Sequence, residues 1–239
     1  MSGHSKWHNI QAKKGKTDAQ RGKIFTKLGR ELSVAVKEGG ADPVNNARLR
    51  DAIDKAKANN MPADVITRAI KKASGELGAV NYESITYEGY GVGGAAVIVE
   101  CLTDNKNRTA GDVRHSFDKY GGSLGASGCV SYLFKQKGVI IIEKNEKIDA
   151  DELLLLVLDA GANDVVEEEE AFEVYTTREN LKKVTDAVMA AGIDVASSEV
   201  SLIPDSYVEL DDAKSELFEK MLEKLEDLDD VQEVYHNVR

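Results

Sequence analysis

The stretch that decides the fold is GVIIIEKNEKIDADELLLLVLDAGANDVVEEEEAFEVYTTRENLKKVTDAVMAAGIDVASSEVSLI, residues 138–203. Its hydrophobic period alternates between that of strands and that of helices, and a glycine follows each helical run. The predicted strands are 138–143, 164–168, 172–176 and 195–203, and the predicted helices are 151–160 and 179–191. This βαββαβ order is the ferredoxin-like arrangement.

The sequence on both sides of this unit predicts a second α/β domain. Before the unit, strand-like and helical runs alternate as ββαβ over the ranges 83–88, 95–102, 107–120 and 130–134. After it come an amphipathic helix at 210–228 and a strand at 231–238. These last two elements cannot form a domain alone, but they complete the unfinished ββαβ unit.

The first part of the chain predicts a small helical bundle. Three helical runs, at about 18–37, 43–59 and 62–73, each carry one apolar face. Asp42-Pro43 has the composition of a helix start, with Asp as the N-cap and Pro at the first helical position. We therefore expect the second helix to begin at Pro43.

These patterns predict an α+β protein: an N-terminal three-helix bundle and two ferredoxin-like α/β domains, one inserted in the other. If one domain is inserted, its ends at Lys135 and Asp205 should lie close in space. The expected boundaries are a basic helical domain over 1–78, a discontinuous α/β domain over 79–134 with 205–239, and the inserted domain over 135–204.

Charge is distributed unevenly along the chain. The whole sequence has 42 Asp or Glu against 31 Lys or Arg, yet residues 1–77 have 16 basic and 8 acidic residues. Within residues 1–30, eight basic residues and the only tryptophan, Trp7, stand against one acid, Asp18. A basic segment on an acidic body predicts a polyanionic partner, and nucleic acid fits best.

Residues 1–20, the N-terminal arm, are predicted to be mobile and to contact phosphates through lysines, with Trp7 or His8 stacking on an unpaired base. The alternative is a solubilising tail with Trp7 packed on the bundle. The candidate contacts of the arm and first helix are Lys6, Trp7, His8, Lys13, Lys14, Lys16, Arg21, Lys23, Lys27 and Arg30.

A second candidate contact is TDNKNRT, residues 103–109, which joins a strand to a helix N-terminus. Asn105, Asn107 and Arg108 offer donors that suit a phosphate. Equally, an asparagine there could cap the helix and the arginine could be an ordinary surface residue. The acidic residues near the C-terminus are interpreted as a solvent-facing surface: Glu223, Glu226, Asp227, Asp229 and Asp230.

No pattern in the sequence indicates catalysis, a cofactor or a metal. GYGVGG (89–94) matches a dinucleotide-binding pattern, but a strand follows it rather than a helix, so it predicts a hairpin turn. His4 and His8 lie on a glycine-containing arm, which does not favour a preorganised metal site. Cys101 and Cys129 lie in strand-like runs and are expected to be reduced thiols.

The chain is also expected to be a soluble, cytoplasmic protein and a monomer. Its N-terminus is basic but has no apolar core of a signal peptide, and no run reaches the ~20 apolar residues of a membrane span. No heptad repeat indicates self-association.

Several motifs together resemble the YebC family. They are GHSKW (3–7), RGKIFTKL (21–28), a DPxxNxRLR stretch (42–50), an NxxxPxxxIxRAI-like run (Asn59, Pro62, Val65, Ile66, Arg68, Ala69 and Ile70), YEGYGVGG (87–94), TDNKNRT (103–109) and GGSLGASGCVSYLF (121–134). The resemblance runs from end to end. Two residues depart from the usual pattern: Val92 stands where members usually have Pro, and Cys129 where they have Ser.

The resemblance implies three domains, with a helical head and two α/β domains around a cleft. It implies a DNA-binding transcriptional regulator that is not an enzyme. The family is also similar to translation factors: a mitochondrial relative activates translation of cytochrome c oxidase subunit I, and bacterial members are tied to the ribosome and to proline-rich stretches. The alternative function is therefore a factor that binds ribosomal RNA.

Overall fold

The computed structural model describes residues 18–75 and 80–239, which have an α+β fold. Over those residues there are seven α-helices and two four-stranded antiparallel sheets. The helices are α1 (Asp18–Gly39), α2 (Ala47–Ala58), α3 (Ala63–Ala73), α4 (Lys106–Lys119), α5 (Ala150–Ala160), α6 (Leu181–Ala190) and α7 (Asp212–Glu226). The strands are β1 (Glu83–Tyr90), β2 (Ala96–Thr103), β3 (Ser123–Leu124), β4 (Phe134–Glu143), β5 (Asp164–Glu167), β6 (Ala171–Thr176), β7 (Ser197–Pro204) and β8 (Val231–His236).

The described chain divides into two compact units. One unit comprises residues 18–75 and 80–131 together with Leu210–His236, and we call it the head unit. The other comprises Tyr132–Glu209 together with Asn237–Arg239, and we call it the insert unit. The three-domain boundaries drawn from the sequence stay a prediction.

Helices α1, α2 and α3 form the predicted three-helix bundle. Their apolar faces meet in a core that includes Leu28, Leu32, Leu49 and Ile66. The start of α2 differs from the expectation. Asp42 caps a turn rather than the helix, and the N-cap is Asn46, whose side chain accepts a hydrogen bond from the Leu49 N–H at 3.0 Å. The expected start at Pro43 is therefore wrong by one turn.

The sheet of the head unit has the order β3-β1-β2-β8. GYGVGG connects the antiparallel pair β1 and β2, with Tyr90 opposite Ala96, which confirms the hairpin turn. The expected strand at 130–134 is wrong, because Ser131–Leu133 form a 3₁₀ turn and the strand that pairs with β1 is Ser123–Leu124. Buried residues of α4 and α7 supply the helical layer: Val113, Phe117, Phe218, Met221 and Leu225.

The sheet of the insert unit has the order β5-β6-β4-β7 and the chain order βαββαβ, which confirms the ferredoxin-like arrangement. Strand β4 begins at Phe134 rather than at 138, because residues 134–138 pair with β7. Lys135 and Asp205 form an ion pair at 2.8 Å, so these two ends lie together as expected. The head-unit sheet also has four strands, but its elements follow the order ββαβ before the insert unit and αβ after it.

Across residues 18–75 and 80–239, no helix has both the length and the apolar character that a bilayer span needs.

Candidate nucleic-acid interface

The arm residues of the predicted interface lie outside the described residues. They are Lys6, Trp7, His8, Lys13, Lys14 and Lys16. Their part in binding stays a prediction that rests on the sequence. The candidates that the structure does place are four basic residues of α1 and three residues at the start of α4.

The basic residues of α1 lie against the C-terminal end of α7. The Lys23 ammonium contacts the Asp227 carboxylate at 2.9 Å. The Lys27 ammonium donates to the Glu226 carbonyl at 2.7 Å, where it satisfies a free carbonyl at the end of the helix. Arg21 is exposed. Lys23 and Lys27 therefore have acceptors within the head unit.

Arg30, the last basic candidate of α1, pairs with Asp230. Its guanidinium donates to the Asp230 carboxylate and, at 3.1 Å, to the Leu102 carbonyl. The Arg30 side chain is 13% exposed and that of Asp230 is 8% exposed. Arg30 is therefore an internal ion-pair partner, and a phosphate would have to displace Asp230 to reach it.

Asp230 is the centre of a polar cluster, so its interpretation as a solvent-facing residue is wrong. Besides Arg30, its carboxylate accepts from the Arg108 guanidinium at 2.7 and 3.0 Å and from the Thr109 hydroxyl at 2.7 Å. Thr103 donates to it at 3.2 Å. Asp230 thereby joins α1, the end of β2 and the start of α4. We call this set of residues the Asp230 cluster.

The protonation of Asp230 follows from these contacts. Burial acts to raise its pKa, but hydrogen bonds from Thr109, Arg108 and Arg30 outweigh burial and hold the pKa below its ordinary value. In turn, hydrogen bonds to Asp230 and Asp104 raise the pKa of Arg108. The Asp230 carboxylate and the Arg108 guanidinium are therefore both charged at neutral pH.

Asn105 has a capping role at the start of α4. Its side-chain oxygen accepts from the Arg108 backbone N–H at 3.1 Å, so Asn105 is the N-cap. The Arg108 side chain also contacts Asp104 at 2.8 Å. Asn107 is exposed beside them. Of the three candidates, Asn107 is the one whose side chain has neither a capping role nor a place in the Asp230 cluster.

An open cleft of about 360 Å³ lies beside the Asp230 cluster. Two arginines and four aspartates line it, together with Thr109 and Leu228; the charged residues are Arg30, Arg108, Asp104, Asp112, Asp229 and Asp230. Because acidic residues outnumber basic ones, the cleft does not favour a phosphate. Its arrangement stabilises the junction between α1, α4 and β8.

The bundle carries further exposed cations that the residue-by-residue prediction missed. Residues 18–75 have twelve Lys or Arg against seven Asp or Glu. Arg68, Lys71 and Lys72 are exposed on α3, and the last two form the basic end of that helix. The net charge of residues 1–77 included these cations, and Arg68 lies in the NxxxPxxxIxRAI-like run, but none of the three was predicted as a contact.

The comparisons agree with this architecture along the whole chain. Residues 5–76 match the description "TACO1/YebC protein N-terminal domain", and residues 82–238 match "TACO1/YebC second and third domain". The chain is similar to the crystal structure of a conserved hypothetical protein from Aquifex aeolicus, with a TM-score of 0.83 and 47% identity, over 94% of this chain and 92% of that one.

Similar sequences come from several bacteria. A "Probable transcriptional regulatory protein" of Clostridium beijerinckii is 62% identical over 237 residues, which is 99% of this chain and 96% of that protein. A protein of the same description from Acetivibrio thermocellus is 55% identical over 238 residues, which is 99% of this chain and 98% of that protein. With both parts of the chain matched and these identities over nearly its full length, the chain belongs to the TACO1/YebC family.

Proposed function

We propose that this protein is a non-enzymatic, nucleic-acid-binding regulator of gene expression that binds through its basic N-terminal domain. The observation that carries the proposal is the charge division: residues 1–77 have 16 basic and 8 acidic residues, while the chain as a whole is acidic. Positive charge on one domain directs a polyanion to that domain and away from the rest of the molecule.

The first form of this function is DNA-binding regulation of transcription. Its support is the description "Probable transcriptional regulatory protein" that relatives carry over nearly their full length. In this form the arm lysines contact the phosphate backbone, and the exposed cations of α3 extend the same basic surface. The protein acts in the cytoplasm as a monomer.

The second form is binding of ribosomal RNA by a translation factor, including relief of stalling at proline-rich stretches. A specific observation favours it: Lys23, Lys27 and Arg30 have acceptors within the head unit, so part of the positive charge of α1 is already compensated where a duplex would have to lie. An arm with lysines and one tryptophan suits unpaired bases, which RNA loops offer.

The two forms are separated by sedimentation of cell lysate through a sucrose gradient, with and without RNase, followed by an antibody to this protein. Co-sedimentation with ribosomal particles that RNase abolishes supports the RNA form. A protein that stays at the top of the gradient, and that promoter DNA retains at physiological salt, supports the DNA form. Absence of both results contradicts nucleic-acid binding altogether.

The arm is tested by changing Lys13, Lys14 and Lys16 together to glutamate. We expect association with nucleic acid to be lost while the melting temperature is unchanged. The matched control changes three exposed lysines of the insert unit, Lys147, Lys182 and Lys183, to glutamate. Since both triple variants alter the net charge equally, loss in both would show that only the overall charge matters.

A further inference from the structure

Helix α5 of the insert unit is apolar on both of its faces. Its sequence ADELLLLVLDA packs Leu153 and Val157 into the core, where they are 1% and 0% exposed. On the outer face Leu154, Leu155 and Leu158 are 38%, 65% and 43% exposed. These three leucines are neighbours at spacings of three and four residues, so they form one continuous stripe.

Such a stripe is unusual for a surface helix. A helix on the surface of a soluble domain normally has a polar outer face, and one that is apolar all round is normally covered. Met189 on α6, the other helix of the same layer, is 55% exposed and adds to the apolar surface of this layer. We call Leu154, Leu155 and Leu158 the leucine stripe.

On helix α5 itself, the charged residues that form the rim of the leucine stripe are acidic. Asp151 and Asp159 lie one turn before and one turn after Leu155 on the same face, and Glu152 lies in the first turn. Helix α5 contains no basic residue. Residues 135–204 as a whole have sixteen Asp or Glu against seven Lys or Arg.

The negative charge beside the leucine stripe determines which class of partner can bind there. Phosphates of nucleic acid and of anionic lipids are repelled by an acidic rim. A second copy of the same face would place like charges opposite each other, which disfavours self-association. A protein segment with apolar side chains flanked by Lys or Arg would cover the leucines and pair with the rim.

We propose that the leucine stripe is a docking surface for a basic, amphipathic segment of another protein. Burial of the leucines supplies the affinity, and the acidic rim selects against neutral and acidic segments. The insert unit is then a protein-binding module, while nucleic acid is bound by the basic N-terminal domain. The two activities use different surfaces and are separable by mutation.

The test measures fluorescence anisotropy of labelled amphipathic helical peptides added to the full chain. One peptide has a leucine face and a lysine face, a second has glutamate in place of lysine, and a third has serine in place of leucine. We expect the Lys/Leu peptide to bind, and Leu155→Ser with Leu158→Ser to weaken it by roughly tenfold or more. The Glu/Leu and Lys/Ser peptides should show no affinity that depends on these two leucines.

Two further variants make the result specific. Leu217→Ser removes a leucine that is 40% exposed on α7, also a helix with acidic neighbours, and should leave the binding unchanged. Asp151→Asn with Asp159→Asn keeps the leucines and should weaken binding of the Lys/Leu peptide and reduce its salt dependence. All variants change exposed positions, and an unchanged melting temperature confirms that they fold.

Three outcomes overturn the proposal. The first is that the Lys/Leu peptide binds equally well to the wild type and to the double serine variant, or binds to neither. The second is that the double serine variant loses as much affinity for the Glu/Leu peptide as for the Lys/Leu peptide, because the acidic rim would then not discriminate between the two peptides. The third is a wild-type dimer in analytical ultracentrifugation that Leu155→Ser with Leu158→Ser converts to a monomer, because a second copy would then cover the stripe.

Discussion

At the scale of single residues, Asp230 determines how the first and last parts of the chain meet. It is buried and pairs with two arginines, one from α1 and one from α4. Removing one partner of a buried ion pair leaves the other charge without compensation, which costs far more than the pair itself contributes. The two arginines therefore make Asp230 a sensitive position.

We predict that Asp230→Asn lowers the free energy of unfolding by roughly 3 kcal/mol, because the buried Arg30 loses its counter-charge and Arg108 keeps only Asp104. The measurement is urea denaturation at neutral pH. The matched control is Asp227→Asn, which removes only the exposed pair with Lys23 and should cost less than about 1 kcal/mol. Equal effects of the two variants would contradict the central role of Asp230.

Glu88 is a second buried carboxylate, and it accepts hydrogen bonds from backbone N–H groups. It is 5% exposed and accepts from the N–H groups of Gly128, Val130 and Ser131 at 2.8, 2.9 and 2.8 Å. Burial acts to raise its pKa, but these three donors outweigh burial and hold the pKa below its ordinary value of 4.5. Glu88 thus anchors the glycine-rich loop that precedes the insert unit.

The lowered pKa of Glu88 determines how its contribution to stability changes with pH. The folded state favours the ionised form of Glu88, so its contribution is complete above the ordinary pKa of 4.5 and is lost as the pH falls through the lower folded value. We predict that Glu88→Gln costs roughly 2 kcal/mol at pH 7. The difference from the wild type should shrink as denaturation is repeated at successively lower pH below 4.5. A difference that stays constant over that range would exclude the charge as its cause.

Residue-scale contacts were the least predictable from the sequence. Arg30 and Arg108 were predicted to contact a phosphate of nucleic acid, and that stays a prediction. In the structure both bind the carboxylate of Asp230, which lies 200 residues from Arg30 and 122 from Arg108 along the chain. No local pattern distinguishes an arginine that pairs with a distant aspartate from one that binds phosphate.

At the scale of elements, glycine positions in the sequence correctly predicted turns and helix ends, because these depend on the local backbone conformation. The GYGVGG hairpin and the glycine that ends α5 follow from backbone conformations that glycine adopts readily, and Gly161 has a φ of 106°. The start of β4 could not be found in this way. Residues 135–137 are Lys-Gln-Lys and show no apolar alternation, and they are strand because β7 pairs with them more than sixty residues later.

The connection between α1 and α2 gives a prediction at this scale, because one side chain joins the two helices. The Asn46 amide donates to the carbonyls of Ala35 and Gly40 at 2.7 and 2.8 Å, while its oxygen caps α2. A Cβ on Gly39 would lie 2.6 Å from Asn46 Cγ. Position 39 therefore has to be glycine only as long as Asn46 occupies that space.

We predict that Asn46→Ala and Gly39→Ala each destabilise the protein by roughly 2 kcal/mol, because both break the same hydrogen bonds. In the Asn46→Ala background, Gly39→Ala should be neutral or slightly stabilising, since alanine has the higher helix propensity. Thermal denaturation of the four variants of this cycle measures the coupling. Gly29→Ala is the control: a Cβ there meets nothing within 4 Å, so its effect should be the same in both backgrounds. Additive costs at positions 39 and 46 would contradict the shared contact.

At the scale of the whole molecule, the fold class was predictable and the distribution of its surfaces was only partly so. Alternating hydrophobic periods predicted the βαββαβ unit, and counting charges predicted a basic first domain on an acidic body. Counting charges in the sequence could not show which basic side chains have acceptors within the protein. Arg30 is buried against Asp230, and Lys23 and Lys27 have exposed acceptors at the end of α7, so the proposed binding of nucleic acid rests chiefly on the arm and on α3.

That distribution leads to the last prediction, which concerns the salt dependence of binding. Each phosphate contact releases counterions, so the logarithm of the affinity falls linearly with the logarithm of the salt concentration, with a slope of about −0.9 per contact for duplex DNA and about −0.7 for single strands. If Lys13, Lys14 and Lys16 each contact a phosphate, changing them to uncharged glutamine should make the slope shallower by roughly two to three units. Gln is chosen so that weak binding remains measurable.

The measurement is a filter-binding titration over a series of salt concentrations, with duplex DNA and with single-stranded RNA. The control variant, with Lys147, Lys182 and Lys183 changed to glutamine, removes the same charge from the acidic insert unit and should keep the wild-type slope. If both variants lose slope equally, the long-range field of the molecule steers binding and the arm makes no specific contacts. If neither loses slope, the contacts lie elsewhere, and the exposed cations Arg68, Lys71 and Lys72 of α3 become the next positions to change.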